Sequence, residues 1–225
     1  MHISGAISVH LHSLFPRILK NFETLGISDL IVKALTENRI NSPSEMQTKA
    51  IPILLQNGTD FIGQMQSGPG KTVAFSLPLL QLVNPGSEKI QAVILSPSRE
   101  LCQQIAKQLF TFTKYLPTKI FVESVFGGVP IDTQINRLQK PTHILVATPD
   151  RLIDLLEAKA IDLSQVKIIV LDEADEMLKK GAKEELDRIL QSMKNKKTTW
   201  LFFATMSSEI KAIIDNYMSK DAFRL

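Results

Sequence analysis

Two short segments of the 225-residue chain combine residue types that bind phosphate and metal ions. The first follows a short β-branched run and reads Gln66-Ser67-Gly68-Pro69-Gly70-Lys71-Thr72. Glycines at such a turn expose backbone N–H groups to phosphate oxygens, and the N-terminus of the following helix adds its dipole. In this interpretation Lys71 neutralises the β- and γ-phosphates of a nucleotide, and the Thr72 hydroxyl binds Mg²⁺.

This segment departs from the strict phosphate-loop pattern at two positions. Met65 stands five places before Gly70, where the pattern has glycine, and Pro69 has no N–H to donate. The segment therefore leaves an alternative open, an ordinary glycine turn between a strand and a helix.

The second segment places carboxylates directly after an apolar run. Asp172-Glu173-Ala174-Asp175 follows Ile168–Leu171, which has the composition of a buried strand. A carboxylate at the end of a buried strand needs a partner, and the Mg²⁺ of a nucleotide held by the first segment is a suitable one. We expect Asp172 to hold that metal through water and Glu173 to polarise the attacking water. A solvated acidic turn is the alternative.

Strands and helices alternate along the chain and must position both segments. Six β-branched runs predict strands at Asp60–Gly63, Ala92–Leu95, Ile120–Val125, Ile144–Ala147, Ile168–Leu171 and Trp200–Phe203. Apolar residues at helical spacing lie between them, as in Leu101, Ile105, Leu109 and Phe112. This alternation predicts one α/β domain whose parallel sheet is covered by helices on both faces. Ligands of such sheets bind at the carboxyl ends of the strands.

The remaining predicted strands also end in residues suited to a ligand. They carry Pro97, Arg99, Gly127, Gly128, Thr148, Arg151, Ala204 and Thr205. Arginines, glycines and threonines supply the charge, bare N–H groups and small donors that a sugar–phosphate backbone contact uses. Arg99 and Arg151 have a plainer alternative, because either could start a helix and make a surface ion pair.

Composition excludes several classes of protein. With 44% hydrophobic and 22% charged residues, the chain is not intrinsically disordered. The single cysteine, Cys102, excludes an intrachain disulfide framework and a cysteine-built zinc site, and suits a reducing compartment. Apolar runs fall far short of the ~20 residues of a membrane helix. A net charge of +3 allows a nucleic-acid partner without arguing for one. We expect a cytoplasmic protein without membrane contact.

Residues 1–20 differ from the rest and are expected to form a loosely ordered leader before a domain over 21–225. His2, His10 and His12 interrupt the apolar stretch that a secretory signal would need. A histidine metal site is the alternative, although no carboxylate or cysteine lies nearby to complete it.

From Phe22 to its end the sequence resembles the first RecA-like domain of the DEAD-box RNA helicases. That family's motifs occur in order: an isolated aromatic, a Q motif, the phosphate loop, Pro-Thr-Arg-Glu-Leu, a double glycine, Thr-Pro-Gly-Arg, Asp-Glu-Ala-Asp and Ser-Ala-Thr. They correspond here to Phe22, Pro43–Gln47, Gln66–Thr72, Pro97–Leu101, Gly127-Gly128, Thr148–Arg151, Asp172–Asp175 and Phe203–Thr205. The resemblance implies a RecA-like phosphate-loop NTPase domain that binds ATP, Mg²⁺ and RNA.

The resemblance implies a role for each matched residue. Phe22 and Gln47 belong to the nucleotide site, where Gln47 would read the adenine edge. The phosphates and Mg²⁺ would be held by Gln66, Ser67, Gly68, Gly70, Lys71 and Thr72, with Lys71, Asp172 and Glu173 catalytic and Thr72 and Asp172 at the metal. The RNA backbone would be gripped, without regard to base sequence, by Pro97, Arg99, Gly127, Gly128, Thr148 and Arg151. Coupling of the two sites would use Asp175, Ala204 and Thr205.

Departures from the family's pattern fall on positioning residues. Ile40 replaces an aromatic that stacks on adenine, a loss of about 1 kcal/mol. Met65, Ser67 and Pro69 alter the phosphate loop, and Phe203 replaces the serine of Ser-Ala-Thr. Asp150 replaces the glycine of Thr-Pro-Gly-Arg and puts a carboxylate where an RNA phosphate is expected, which should weaken RNA binding.

The expected function is that of the ATP-binding half of an ATP-dependent RNA helicase. The family hydrolyses ATP between two RecA-like domains, and the second domain supplies arginines, each typically worth 10³–10⁵ in rate. No second set of strands occurs before Leu225, so we expect weak or no activity from this chain alone, a second domain in cis or trans, and a monomer. One alternative is an RNA- or nucleotide-binding module with impaired or no hydrolysis. Another is a different phosphate-loop enzyme, such as a DNA translocase.

Overall fold

The computed structural model describes residues 21–56, 58–66, 68–193 and 197–225. The expected leader with its three histidines, and Ser67 of the phosphate loop, lie outside the described residues. A short 3₁₀ helix at Glu23–Leu25 precedes the other elements. The helices are α1 Asp29–Glu37, α2 Glu45–Leu54, α3 Pro69–Leu82, α4 Arg99–Phe112, α5 Ile131–Leu138, α6 Pro149–Glu157, α7 Ala174–Lys179, α8 Lys183–Ser192 and α9 Ser208–Tyr217. The strands are β1 Phe61–Gln64, β2 Ala92–Leu95, β3 Val122–Val125, β4 Ile144–Ala147, β5 Ile168–Leu171, β6 Thr198–Phe203 and β7 Phe223–Arg224.

All seven strands form one parallel sheet in the order β3-β4-β2-β5-β6-β1-β7. Three of the six predicted strands, at Ala92–Leu95, Ile144–Ala147 and Ile168–Leu171, are confirmed with their bounds. Of the other three, β1 is shifted by one residue at both ends, and β3 and β6 differ by two residues at their starts. β7 was not predicted, because a two-residue strand whose side chains are exposed has no apolar pattern to detect.

Asp60, which was predicted to begin β1, lies just before it. Its carbonyl accepts a hydrogen bond from the Phe223 N–H of β7 at 2.8 Å, and its carboxylate accepts from the Thr199 N–H and the Ser219 N–H, both at 2.7 Å. Asp60 therefore joins the starts of β1 and β6 to the segment leading into β7. The carboxylate is satisfied by backbone donors, so its burial costs little.

Two apolar cores cover the two faces of the sheet, which confirms the predicted layers. Alternate residues of each strand enter opposite cores: Ala92 and Ile94 face α1 to α4, whereas Val93 and Leu95 face α6 to α9. This alternation follows from the period of two in a β-strand. Among the described residues, no helix has the length and apolar character that crossing a membrane requires.

Candidate functional site

The phosphate loop lies between the carboxyl end of β1 and the start of α3. Gly68 is the N-cap residue, and a side chain added there would meet no atom within 4 Å, so the loop borders open space. α3 begins at Pro69, the first helical position, where a missing N–H costs the helix nothing. That N–H is nevertheless one donor fewer for a phosphate. Gln66 is exposed and Thr72 is half-buried beside this opening.

Lys71 joins the two predicted segments. Its Nζ donates a hydrogen bond to Glu173 Oε1 at 3.2 Å and lies 2.9 Å from Asp172 Oδ1. The contact to Asp172 is a buried ion pair, and Oδ1 has no other partner in the described protein. The Lys71 and Asp172 side chains are 4% and 3% exposed, so both charges are held away from water. The structure thus brings the three predicted catalytic residues together.

This cluster fits a magnesium ion bound with a nucleotide. Burial raises the pKa of Asp172, and the Lys71 ammonium opposes that rise by stabilising the carboxylate. A buried carboxylate whose partner in the described protein is a lysine is suited to a hard cation, and the Thr72 hydroxyl supplies a further oxygen donor. These observations disfavour the solvated acidic turn, because the turn is neither solvated nor unpaired.

Glu173 has a backbone conformation that is rare for its residue type. Its φ of 55° and ψ of 49° lie in the left-handed region, and it precedes the first residue of α7. Such a conformation costs about 1–3 kcal/mol in a residue that is not glycine, so the surrounding structure must hold it. Its consequence is that consecutive carboxylates, Asp172 and Glu173, both reach the Lys71 ammonium.

Gln47 lies against the phosphate loop, as a member of the nucleotide site should. It forms a capping box with Ser44 at the start of α2, and its Nε2 donates to the Gly70 carbonyl at 2.9 Å. Phe22 is placed differently, because its side chain is 1% exposed within the apolar core and packs there. Ile40 is partly buried and lines a groove against α4 with residues such as Gln104 and Gln108.

The Asp175 carboxylate bonds the segment that follows β6. Its Oδ1 accepts from the Ala204 N–H at 3.3 Å, and its Oδ2 accepts from the Thr205 N–H at 3.0 Å. Both contacts use backbone donors, so the hydroxyl missing at Phe203 is not required for them. Phe203 is 1% exposed and packs in the core on the α6-to-α9 face.

A cleft of about 430 Å³ lies over the carboxyl ends of β2 and β4 and is lined by predicted RNA contacts, including Pro97, Arg99, Gly127 and Thr148. Arg99 is exposed, and its guanidinium lies 5.1 Å from the Phe126 ring centre. Gly128 has a φ of +81°, which an L side chain rarely adopts, and a side chain there would reach the Arg99 guanidinium. The double glycine thus keeps the backbone beside Arg99 bare.

Arg151 points into the protein. Its Nη1 donates to the Val129 carbonyl and to Gln134 Oε1, both at 2.9 Å, and its Nε pairs with Asp154 at 3.2 Å. Gln134, which is 1% exposed, donates in turn to the Phe126 carbonyl at 2.9 Å. Arg151 therefore holds both ends of the double-glycine loop in the described state. Sequence reasoning missed Gln134, because a lone glutamine within an amphipathic helix gives no signal.

The positions of two further residues of the cleft, Thr148 and Asp150, could not be predicted from the sequence. The Thr148 hydroxyl is buried and has no hydrogen-bond partner in the described protein, so it does not lie on the open surface of the cleft. Asp150 is exposed, and its Oδ2 lies 3.3 Å from the place where a Gly127 Cβ would stand. The negative charge at Asp150 thus lies against the double glycine.

Fold and site together define a class. A parallel α/β sheet carries a glycine loop at the N-terminus of α3, and a buried lysine there pairs with two carboxylates that follow β5, which β6 separates from β1. This is the arrangement of a nucleotide-binding phosphate-loop domain.

Comparisons with known proteins agree with that class and narrow it. The DEAD/DEAH box helicase family model matches residues 44–213. The chain is 38% identical to "RNA helicase CrhR" of Synechocystis over 91% of its own length and 41% of that protein's. It is also 38% identical to "DEAD-box ATP-dependent RNA helicase CshA" of Bacillus cereus, over 90% of this chain and 38% of that one. A DEAD box protein from Methanococcus jannaschii has a crystal structure that matches with a TM-score of 0.85 and 35% identity, over 91% of this chain and 55% of that one.

The chain therefore belongs to the DEAD/DEAH box helicase family. It spans about two fifths of the length of the curated relatives named above. The resemblance drawn from the motifs and the predicted RecA-like α/β fold are both confirmed.

Proposed function

We propose that this chain is the ATP-binding half of an ATP-dependent RNA helicase. The observation that carries the proposal is the buried cluster in which the Lys71 ammonium lies 2.9 Å from Asp172 Oδ1 and 3.2 Å from Glu173 Oε1, beside the phosphate loop. A lysine between two carboxylates can exchange either contact for a phosphate oxygen without leaving the site. Family membership supports ATP as the nucleotide.

Each residue of the cluster has one task in this proposal. Bound Mg²⁺ would neutralise charge on the phosphates, held by Asp172 and the Thr72 hydroxyl. Lys71 moves from the carboxylates to the β- and γ-phosphates, where its charge opposes their repulsion. The Glu173 carboxylate, released by Lys71, accepts a hydrogen bond from the attacking water and orients it in line with the leaving group. Gln47, held against Gly70, would meet the adenine.

RNA is the proposed partner at the cleft. Arg99, the bare backbone at Gly127 and Gly128, and the α6 N-terminus supply donors for phosphates without reading bases. A second RecA-like domain, in cis or in trans, would close over the nucleotide and supply the arginines. We further propose that residues 21–225 are one working domain, that residues 1–20 are a leader, and that the protein acts as a cytoplasmic monomer.

A second candidate function is a nucleotide- and RNA-binding module without hydrolysis. The observation that favours it is the inward orientation of Arg151, together with the Asp150 carboxylate against Gly127. Both features lower the positive charge that the cleft offers to RNA. A cleft with fewer cations would hold RNA less firmly and stimulate turnover less.

RNA-stimulated ATP hydrolysis separates the two candidates. Turnover is measured for this chain alone and with a second RecA-like domain added, for the natural sequence and for Glu173→Gln. Glu176→Gln is the matched control, because that glutamate lies on α7 in an exposed ion pair with Lys179. The helicase proposal expects turnover that RNA increases and that only Glu173→Gln removes. Nucleotide binding without turnover in every combination would favour the binding module, and stimulation by DNA alone would favour a translocase.

A further inference from the structure

Three buried oxygens at the carboxyl edge of the sheet have no hydrogen-bond partner among the described residues. They are Thr148 Oγ1, Ser96 Oγ and Asp172 Oδ1. Their residues are 7%, 0% and 2% exposed. Asp172 Oδ1 has the Lys71 ammonium at 2.9 Å as an ion-pair partner. A buried hydroxyl without a hydrogen bond costs about 1–3 kcal/mol, so the Thr148 and Ser96 hydroxyls need an explanation.

The three residues occupy consecutive positions across the sheet. Leu95 is in register with Ala147 on one side and with Leu171 on the other. The ladder continues by one residue, since the Ser96 N–H donates to the Ala147 carbonyl at 3.0 Å and the Asp172 N–H donates to the Leu95 carbonyl at 2.9 Å. Thr148, Ser96 and Asp172 therefore stand side by side, and we call them the polar row.

The polar row lies on the face of the sheet that α3 and α4 cover. Its residues have the same parity as Val146, Ile94 and Val170, which belong to that core. Continuing the register puts Phe126 beyond Thr148 and Phe202 beyond Asp172, and both phenylalanines are buried in the same core. The row is thus a polar strip of three positions between two aromatic rings.

The spacing of the row suits hydrogen bonding from one member to the next. Neighbouring strands lie about 4.8 Å apart, so oxygens at consecutive positions stand at a separation that a direct contact or one bridging water can close. An internal water requires two to four polar partners, and Ser96 has a candidate on each side. Burial, together with the Asp150 and Asp172 charges, raises the pKa of the Cys102 thiol on α4 to about 12, which agrees with α4 covering this strip.

Chance is a poor explanation for the arrangement. Seven side-chain atoms in the described ranges are buried without a partner, and the other four belong to Ser76, Glu185, Thr199 and Trp200. Those four lie on helices or on β6, whereas the three of the row are adjacent. At the fully buried Ser96 an alanine would fit with less cost, because its methyl group needs no hydrogen bond.

We infer that Thr148, Ser96 and Asp172 form one buried hydrogen-bonded row, closed by internal water, in which Ser96 is a positioning residue for Asp172. The row joins the RNA cleft to the metal ligand by a path separate from Asp175 and Thr205. The assignment of one end of the row to RNA and of the other to the metal rests on the proposed function. Ser96 restrains the Asp172 carboxylate through Oδ1 so that the carboxylate faces the metal, and a shift of Thr148 on RNA binding reaches Asp172 through Ser96.

A crystal structure of this chain that resolves ordered waters tests the row without any nucleotide. The expected result is a bridging water, or a direct hydrogen bond, linking Ser96 Oγ to Asp172 Oδ1 and to Thr148 Oγ1. The result that overturns the row is a Ser96 hydroxyl that bonds only to a backbone carbonyl, with no water or contact shared with its neighbours. This outcome does not depend on whether the chain binds ATP.

The positioning role is tested by titrating the chain with ADP in Mg²⁺ and again in EDTA. Ser96→Ala should reduce the gain in affinity that Mg²⁺ provides by about fivefold and leave the affinity in EDTA unchanged. Thr199→Val is the matched control, since it removes an equally buried hydroxyl from β6 outside the row, and should change neither value. An unchanged Mg²⁺ gain in Ser96→Ala, or an equal loss in Thr199→Val, would refute the role. Absence of ADP binding in the natural sequence would refute both the proposed function and this role, while the crystallographic test still decides whether the row exists.

Discussion

Two groups of residues at the carboxyl ends of the strands differ in how their charged side chains are held. They are the proposed nucleotide edge (Lys71, Asp172 and Glu173) and the proposed RNA edge (Arg99, Arg151 and the double glycine). At the nucleotide edge a lysine and two carboxylates converge from β5 and α3, and both members of the Lys71–Asp172 pair are buried. At the RNA edge the two predicted arginines diverge. Arg99 is exposed to solvent, whereas Arg151 is buried in hydrogen bonds to its own protein.

The difference shows that burial suits charged residues that act on a reacting bond, whereas exposure suits charged residues that attract a nucleic acid. Charges that must act on one bond are held rigidly by neighbours that they also stabilise, which preorganises the site. Charges that attract a polyanion work through their number and exposure, and the cleft retains few of them. Removing a residue should therefore be severe at the first edge and graded at the second.

The largest effect is expected from Lys71→Ala. Without the ammonium, burial and the neighbouring Glu173 charge raise the pKa of Asp172 with no lysine to oppose them, so Asp172 tends to take up a proton and lose its use as a metal ligand. We expect ADP affinity in Mg²⁺ to fall by roughly a hundredfold or more, measured by titration. Lys49→Ala, an exposed lysine on α2, is the control and should bind normally. Unchanged affinity in Lys71→Ala would show that the Lys71 cluster does not bind the nucleotide.

The two arginines should fail in different ways. Arg151→Ala leaves the Val129 carbonyl and Gln134 without their partner, and we expect the free energy of unfolding to drop by about 2 kcal/mol. Arg99→Ala should leave stability within about 0.5 kcal/mol and instead weaken RNA binding, with a smaller dependence on salt. Urea unfolding and RNA titrations at two salt concentrations measure both. Equal losses of stability in the two variants would contradict the conclusion that Arg151 points into the protein while Arg99 points into solvent.

A smaller effect, a rise in RNA affinity, is expected from removing the charge at Asp150. Asp150→Asn keeps the side-chain shape in the first turn of α6 and removes the repulsion of RNA phosphates beside Gly127. RNA affinity should rise severalfold at low salt and less at high salt, because screening weakens the repulsion. Glu157→Gln, at the far end of α6, is the control. If affinity is the same at low salt, Asp150 does not face the RNA.

The smallest effect is expected at Ile40. Ile40→Phe restores an aromatic ring where the family stacks adenine, and ATP affinity should rise by up to about fivefold. Leu30→Phe is a control at an exposed position of α1. A titration showing no difference between the two variants would mean that Ile40 faces α4 in the bound state as well.

Much of this molecule follows from its sequence, and the exceptions have physical causes. Continuous apolar runs such as Ile168–Leu171 mark central strands, and the turn after each carries the site, so layers and cluster were both predictable. The inward orientation of Arg151 was not, because it depends on Val129 and Gln134, which are distant in the chain. Asp60 was predicted as a strand residue. The backbone donors that bind its carboxylate come from β6 and from the segment before β7, so the local pattern gave no sign of them.

The polar row is a further feature that could not be predicted from the sequence, because its residues are distant in the chain. Ser96 is one serine after an apolar run and has no motif to mark it. Its neighbours Thr148 and Asp172 are 52 residues downstream and 76 residues downstream by their numbering. Only strand order places them side by side.

The central claim is that the residues proposed to bind the nucleotide phosphates and Mg²⁺ are already brought together in this chain, whereas the cleft proposed to bind RNA presents few cations. The direct measurement is binding of fluorescent ADP and of single-stranded RNA to the same preparation, each in Mg²⁺ and at two salt concentrations. We predict Mg²⁺-dependent ADP binding that needs no RNA, alongside weak RNA binding that salt abolishes. RNA binding that is tight and insensitive to salt, with no ADP binding until RNA is present, would contradict the account.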